Sequence, residues 1–151
     1  MHVIVATDGS HASLAGAEQF RWIADSREIT DVTVVAVVSP FAAVPFANEL
    51  TGRRNAEPTD FSFQQEAEAA VEVVAGVFDG WGPKIHKQVR SGSPASEIVR
   101  AAEEVRASLI SLAAGGRGLT STILLGSTAS KVQHSAPCPV LVCRPTRVAE
   151  S

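Results

Sequence analysis

Positive charge, long apolar runs and cysteine are all scarce in this chain, and each scarcity excludes something. Lysine and arginine number 13 against 16 aspartates and glutamates, for a formal net charge of −3. Arg53-Arg54 is the only adjacent basic pair. No tract is therefore present to neutralise a nucleic-acid backbone, and no nucleic-acid partner is expected. No apolar run reaches the length of a bilayer span, and the apolar start Val3-Ile4-Val5-Ala6 lacks the basic region of a secretory leader. No membrane association is expected, and the expected location is the cytoplasm. The two cysteines, Cys138 and Cys143, lie five apart in an expected strand, and an odd separation sends them to opposite faces. They read as buried or half-buried thiols of a reducing compartment rather than as a disulfide.

Two nucleotide signatures are missing as well. No lysine lies between Gly115 and Ser130, which removes the G-x-x-x-x-G-K-[ST] phosphate loop, and no dinucleotide fingerprint follows the first apolar run. The four histidines, His2, His11, His86 and His134, show no metal-ligand spacing.

What remains is an ordinary folding composition. Apolar residues make up 45% and charged residues 19% of 151, enough for one domain over 1–151 with its own core. Val3 to Ala6 and Val32 to Val38 are continuous, mostly β-branched runs, the pattern of parallel strands covered on both faces. Ser10 is placed to cap a helix reaching about Asp25, with Ala17, Phe20 and Ala24 on its apolar stripe. From Phe41 to Asp60 no period is sustained, and Pro45, Gly52 and Pro58 punctuate a long irregular connection. Phe63, Ala67, Ala70, Val71, Val74 and Phe78 mark a second helix ending near Gly80. Ile85 and Val89 among polar neighbours mark a third strand near the sheet edge, shorter and wetter than the first two. Ser93-Pro94 opens a third helix. Leu109 to Ala114 is the fourth strand, Ser127 to about Ser135 a short fourth helix, and Pro139 to Cys143 the fifth strand. Five strands alternating with four helices predict an α/β fold: an open, doubly wound, Rossmann-like parallel sheet.

Ligands of such sheets gather beyond the carboxyl ends of the strands, where Thr7-Asp8-Gly9-Ser10, Ser39-Pro40 and Gly115-Gly116-Arg117-Gly118 fall. The glycines allow close backbone approach, and Gly126-Ser127 is expected to offer free amides at a helix start, an anion site that needs no lysine. Asp8 can accept from a ribose hydroxyl, hold a metal that arrives with phosphates, or cap the first helix.

The segments Ala6-Thr7-Asp8-Gly9-Ser10, Gly115-Gly116-Arg117-Gly118-Leu119, Leu124-Leu125-Gly126-Ser127-Thr128 and Ala136-Pro137-Cys138-Pro139-Val140-Leu141-Val142 resemble the universal stress proteins over nearly the whole chain. The resemblance implies strand order 3-2-1-4-5 and a homodimer joined through the last strand. It also implies binding of ATP, or of AMP or ADP, with Mg²⁺ on Asp8 only when it arrives with the nucleotide. Ala6, Thr7 and Asp8 would line the adenosine and Val37 would touch the adenine. Ala114, Gly115 and Gly118 would hold ribose and phosphates, and Gly126, Ser127 and Thr128 would close on the phosphates. The family pattern G-x2-G-x9-G-[ST] is matched in residue type by Gly115, Gly118, Gly126 and Ser127, with seven rather than nine residues in the middle spacing. A regulatory nucleotide binder is therefore expected. The alternatives are a slow ATPase or self-phosphorylating enzyme using Ser127 or Thr128, and a dimeric interaction protein that binds no nucleotide.

Overall fold

The two β-branched runs form the middle of a sheet. The computed structural model describes residues 1–39, 50, 60–114 and 118–144, with 60–62 and 118–126 described by backbone alone. Five strands, β1 (His2–Thr7), β2 (Asp31–Val38), β3 (Lys84–Ser91), β4 (Leu109–Ala113) and β5 (Val140–Cys143), alternate with four helices, α1 (His11–Ile23), α2 (Asp60–Gly76), α3 (Pro94–Val105) and α4 (Gly118–Ser135). All strand pairs are parallel and the order is β3-β2-β1-β4-β5, as the resemblance implies.

Strand alternation divides the core into two layers. Val3, Val5, Val32, Val34, Ala36 and Val38 meet Ala17 and Phe20 of α1 and Ala67, Val71 and Val74 of α2 on one face. Ile4, Val35, Ile110 and Leu112 meet Ile98, Val99 and Ala102 of α3 and Val132 of α4 on the other. Covered on both sides, β1 and β2 need apolar residues at consecutive positions, which is why their sequences run rather than alternate. Cys143 belongs to the first layer and Cys138 packs against the second, both as free thiols. Burial raises the pKa of each.

Four local expectations are revised. β3 is at the edge and more exposed than β1 and β2, but at eight residues it is as long as β2, because each of its eight residues pairs with one of β2. α2 ends at Gly76 and the chain continues in tight turns, with the Val77 amide donating to the Val74 carbonyl at 3.1 Å and Phe78 to Ala75 at 3.0 Å. Ser93 occupies the cap position of α3 without capping through its side chain; its carbonyl accepts from Glu97 N–H at 2.9 Å. Most consequentially, α4 begins at Gly118 rather than Ser127, so Gly126 does not open a helix. Nothing in Leu119 to Leu125 breaks a helix, and the first-turn amides belong to Gly118 onward.

Candidate functional site

The direction in which strands are added reverses at β1: β2 and β3 extend the sheet on one side, and β4 and β5, parallel to them, on the other. A crevice is expected at the carboxyl ends of that central pair. Val3 pairs with Leu109 and Val5 with Ser111; continuing that register sets Asp8 level with Ala114. Both are partly exposed and directly follow the last residues of β1 and β4.

The β1–α1 turn is built from short polar residues. Gly9 has φ 82, a left-handed conformation that glycine adopts without strain. It returns the chain so that Ser10 Oγ accepts the Ser13 N–H at 3.1 Å and caps α1. Asp8 Oδ1 accepts the Ser10 N–H at 3.0 Å and the Ser10 hydroxyl in a short contact. Thr7 is buried, its Oγ1 accepting Gly9 N–H at 3.1 Å and lying 2.7 Å from Ser13 Oγ. The Thr7 side chain thus serves the turn beneath α1.

Ala6 and Val37 lie on the opposite face, both partly buried against the α3–α4 layer. Ala6 pairs with Val35, two residues before Val37 in the adjacent strand, so the two form a small aliphatic floor below the rim. Ala114 follows β4 directly, its N–H donating to the Cys143 carbonyl at 2.7 Å. α1 closes on this end of the sheet because Gly16 permits it: a Cβ there would stand 2.6 Å from Ala113 Cβ.

Ala6, Asp8, Val37 and Ala114 are therefore brought to one rim, with the backbone of Thr7. Gly118 is the first residue of α4. Gly126, Ser127 and Thr128 lie inside that helix, about 12–15 Å along its axis from Gly118 at 1.5 Å per residue. Gly115, Arg117 and, apart from Leu50 and Asp60, the connection 41–60 fall outside the described residues. Two residues the sequence reading used only for capping or left aside, Ser10 and Ser13, prove central to the turn; a hydroxyl three residues from a cap serine was the available signal.

The universal stress protein family model matches residues 1–144. The chain belongs to the universal stress protein family. A universal stress protein of Methanocaldococcus jannaschii is 34% identical over 143 residues, covering 94% of this chain and 81% of that protein. A second, from Thermus aquaticus, is 30% identical and covers 94% and 97%. Among solved structures, a universal stress protein in complex with cAMP has TM-score 0.65 and 20% identity over 97% of this chain and 98% of that one. A universal stress protein family protein of Arabidopsis thaliana with AMP bound has TM-score 0.64 and 17% identity, covering 100% and 96%. At those identities the likeness of the two structures is one of fold.

Among the described residues no group of three or more His, Cys, Asp or Glu side chains could hold a metal ion, and no helix is long and apolar enough to cross a membrane.

Proposed function

We propose that this protein is a cytoplasmic regulatory module that binds ATP, or AMP or ADP, at the β1–β4 switch point. The observation that carries the reading is the meeting, at one rim, of the Ala6–Val37 floor, the Asp8 carboxylate and the Ala114 backbone. An aliphatic surface with few, placed polar groups suits a purine nucleoside. In this reading Ala6 and Val37 contact the adenine, the Thr7 backbone and Asp8 the adenosine, and Ala114, Gly115 and Gly118 the ribose and phosphates. In this reading the first-turn amides of α4, which have no acceptor within the helix, donate to the phosphates, supported by the helix dipole. Gly126, Ser127 and Thr128 sit farther along and take part only if the first turns of α4 open. The cAMP and AMP complexes of proteins with this fold support an adenine ligand.

Mg²⁺ fits on one condition. Asp8 is a single carboxylate, so it suits an ion that arrives with phosphates and keeps several waters, rather than a resident metal. There the ion would supply charge neutralisation.

The second part of the reading is a homodimer through β5, whose outer hydrogen-bonding side has no strand beside it among the described residues. Titration calorimetry with AMP, ADP and ATP tests the first part. We expect binding by the wild type and a loss of about tenfold or more for Asp8→Ala, the scale of a hydrogen bond to a charged group. Purified wild-type protein that binds none of the three would sink the proposal.

A further inference from the structure

We propose that Ser10 is a positioning residue for the nucleotide site, holding Asp8 so that Oδ2 accepts a hydrogen bond from the ligand; this rests on the nucleotide reading above. Hydroxyl stoichiometry fixes the direction of every bond in the turn. Ser13 Oγ donates to the Ser10 carbonyl at 2.7 Å. A serine has one hydroxyl proton, so in the 2.7 Å contact between Thr7 Oγ1 and Ser13 Oγ the threonine is the donor. Thr7 Oγ1 accepts from Gly9 N–H in return. Ser10 spends its own proton on Asp8 Oδ1 and accepts the Ser13 amide with a lone pair.

Asp8 Oδ1 thus takes two donors from Ser10, the amide and the hydroxyl. Among the described residues none reaches Oδ2. Ser10 is 1% exposed, so it cannot itself touch a ligand of ordinary size; its influence has to pass through Asp8. A carboxylate clamped on one oxygen presents the other in a fixed direction as a pure acceptor. It selects a ligand group that donates, a sugar hydroxyl or a metal-bound water, and repels a bare phosphate oxygen. Asp8 thereby reads the donor-bearing part of the nucleotide.

Ser10 also caps α1, so the test has to separate the two roles. Glycine is tolerated at a cap position nearly as well as serine, and Ser10→Gly removes the hydroxyl donated to Asp8. AMP affinity is measured for the wild type, Ser10→Gly, Asp8→Ala and the double variant, with Ser10→Thr as the conservative replacement. We expect Ser10→Gly to weaken binding about fivefold alone and less than twofold in the Asp8→Ala background, and Ser10→Thr to restore most of the loss. Should Ser10→Gly fail to fold, Ser10→Asp keeps a strong cap while placing a second carboxylate against Asp8, and has to weaken binding at least as much. Undiminished affinity in the folded variants overturns the proposal. So does an equal loss in both backgrounds, which would place the effect of Ser10 outside Asp8. Absence of AMP, ADP and ATP binding by the wild type is a different result: it removes the nucleotide reading and this inference together.

Discussion

At Gly16 two residue-scale effects oppose each other. Alanine is favoured over glycine inside a helix by about 1 kcal/mol, but its Cβ would approach Ala113 Cβ to 2.6 Å and Ala113 Cα to 3.3 Å. Neither partner can rotate away, so α1 itself has to move, and overpacking of this kind costs about 1–3 kcal/mol. The clash wins. Gly16→Ala is expected to lower stability by about 1 kcal/mol in urea denaturation, and because α1 carries the Asp8 turn, to weaken nucleotide binding as well. Its place in the sequence did not single it out: on the apolar stripe of α1 a glycine reads as an ordinary small residue until the strand beneath it is known.

At the scale of elements, α3 and β3 are joined by charge more than by apolar contact. The Arg90 side chain is 15% exposed. Its Nε donates to Glu97 Oε1 at 3.0 Å, and its two terminal nitrogens reach both oxygens of Glu104 at 2.9 and 3.0 Å. Glu97 also accepts from Arg100 at 3.0 Å. Removing Arg90 would leave the Glu97 carboxylate, 12% exposed, with Arg100 as its one charged partner among the described residues. Breaking a fully buried pair costs about 3–5 kcal/mol; Arg100 and the exposure of Glu104 reduce this, and Arg90→Ala is expected to cost about 2 kcal/mol in denaturant unfolding. The Arg90 guanidinium holds the Glu104 carboxyl below its ordinary 4.5. A depressed carboxyl contributes stability that is complete above the unfolded value and lost as pH falls through the folded one. The stability gap between wild type and Arg90→Ala should therefore be constant above about pH 5 and narrow below pH 4.5. The expectation of a wet third strand was sound because alternation survives in its sequence. The bridge itself pairs residues seven and fourteen apart, a relation that only the strand–helix crossover creates.

At the scale of the whole molecule, β5 is the last strand of the sheet on its side among the described residues. Its four residues are mostly half-buried, and only Cys143 is buried. The proposed dimer would cover that edge with a second copy. Light scattering should give twice the chain mass for the wild type and a monomer for Val142→Lys, a charge on an edge strand being a common block to pairing. A wild type that stays monomeric at micromolar concentration would remove the dimer from the reading while leaving the nucleotide site intact.

Consecutive β-branched residues in Val3 to Ala6 and Val32 to Val38, the caps at Ser10 and Ser93-Pro94, and the alternation of strand and helix signals were enough to determine an α/β doubly wound sheet, because each is a local consequence of burial on both faces or of chain direction. The family resemblance added the strand order. The helix start at Gly118 was not legible: a glycine reads equally well as the end of a loop or as tolerated helix interior, so Gly118 and Gly126 were equal candidates for the start. Nor was the bonding around Asp8. The residue types allow a cap, a ligand contact or both, and only the turn through Gly9, which lays Ser10 against one carboxylate oxygen, decides that Asp8 is held through Oδ1.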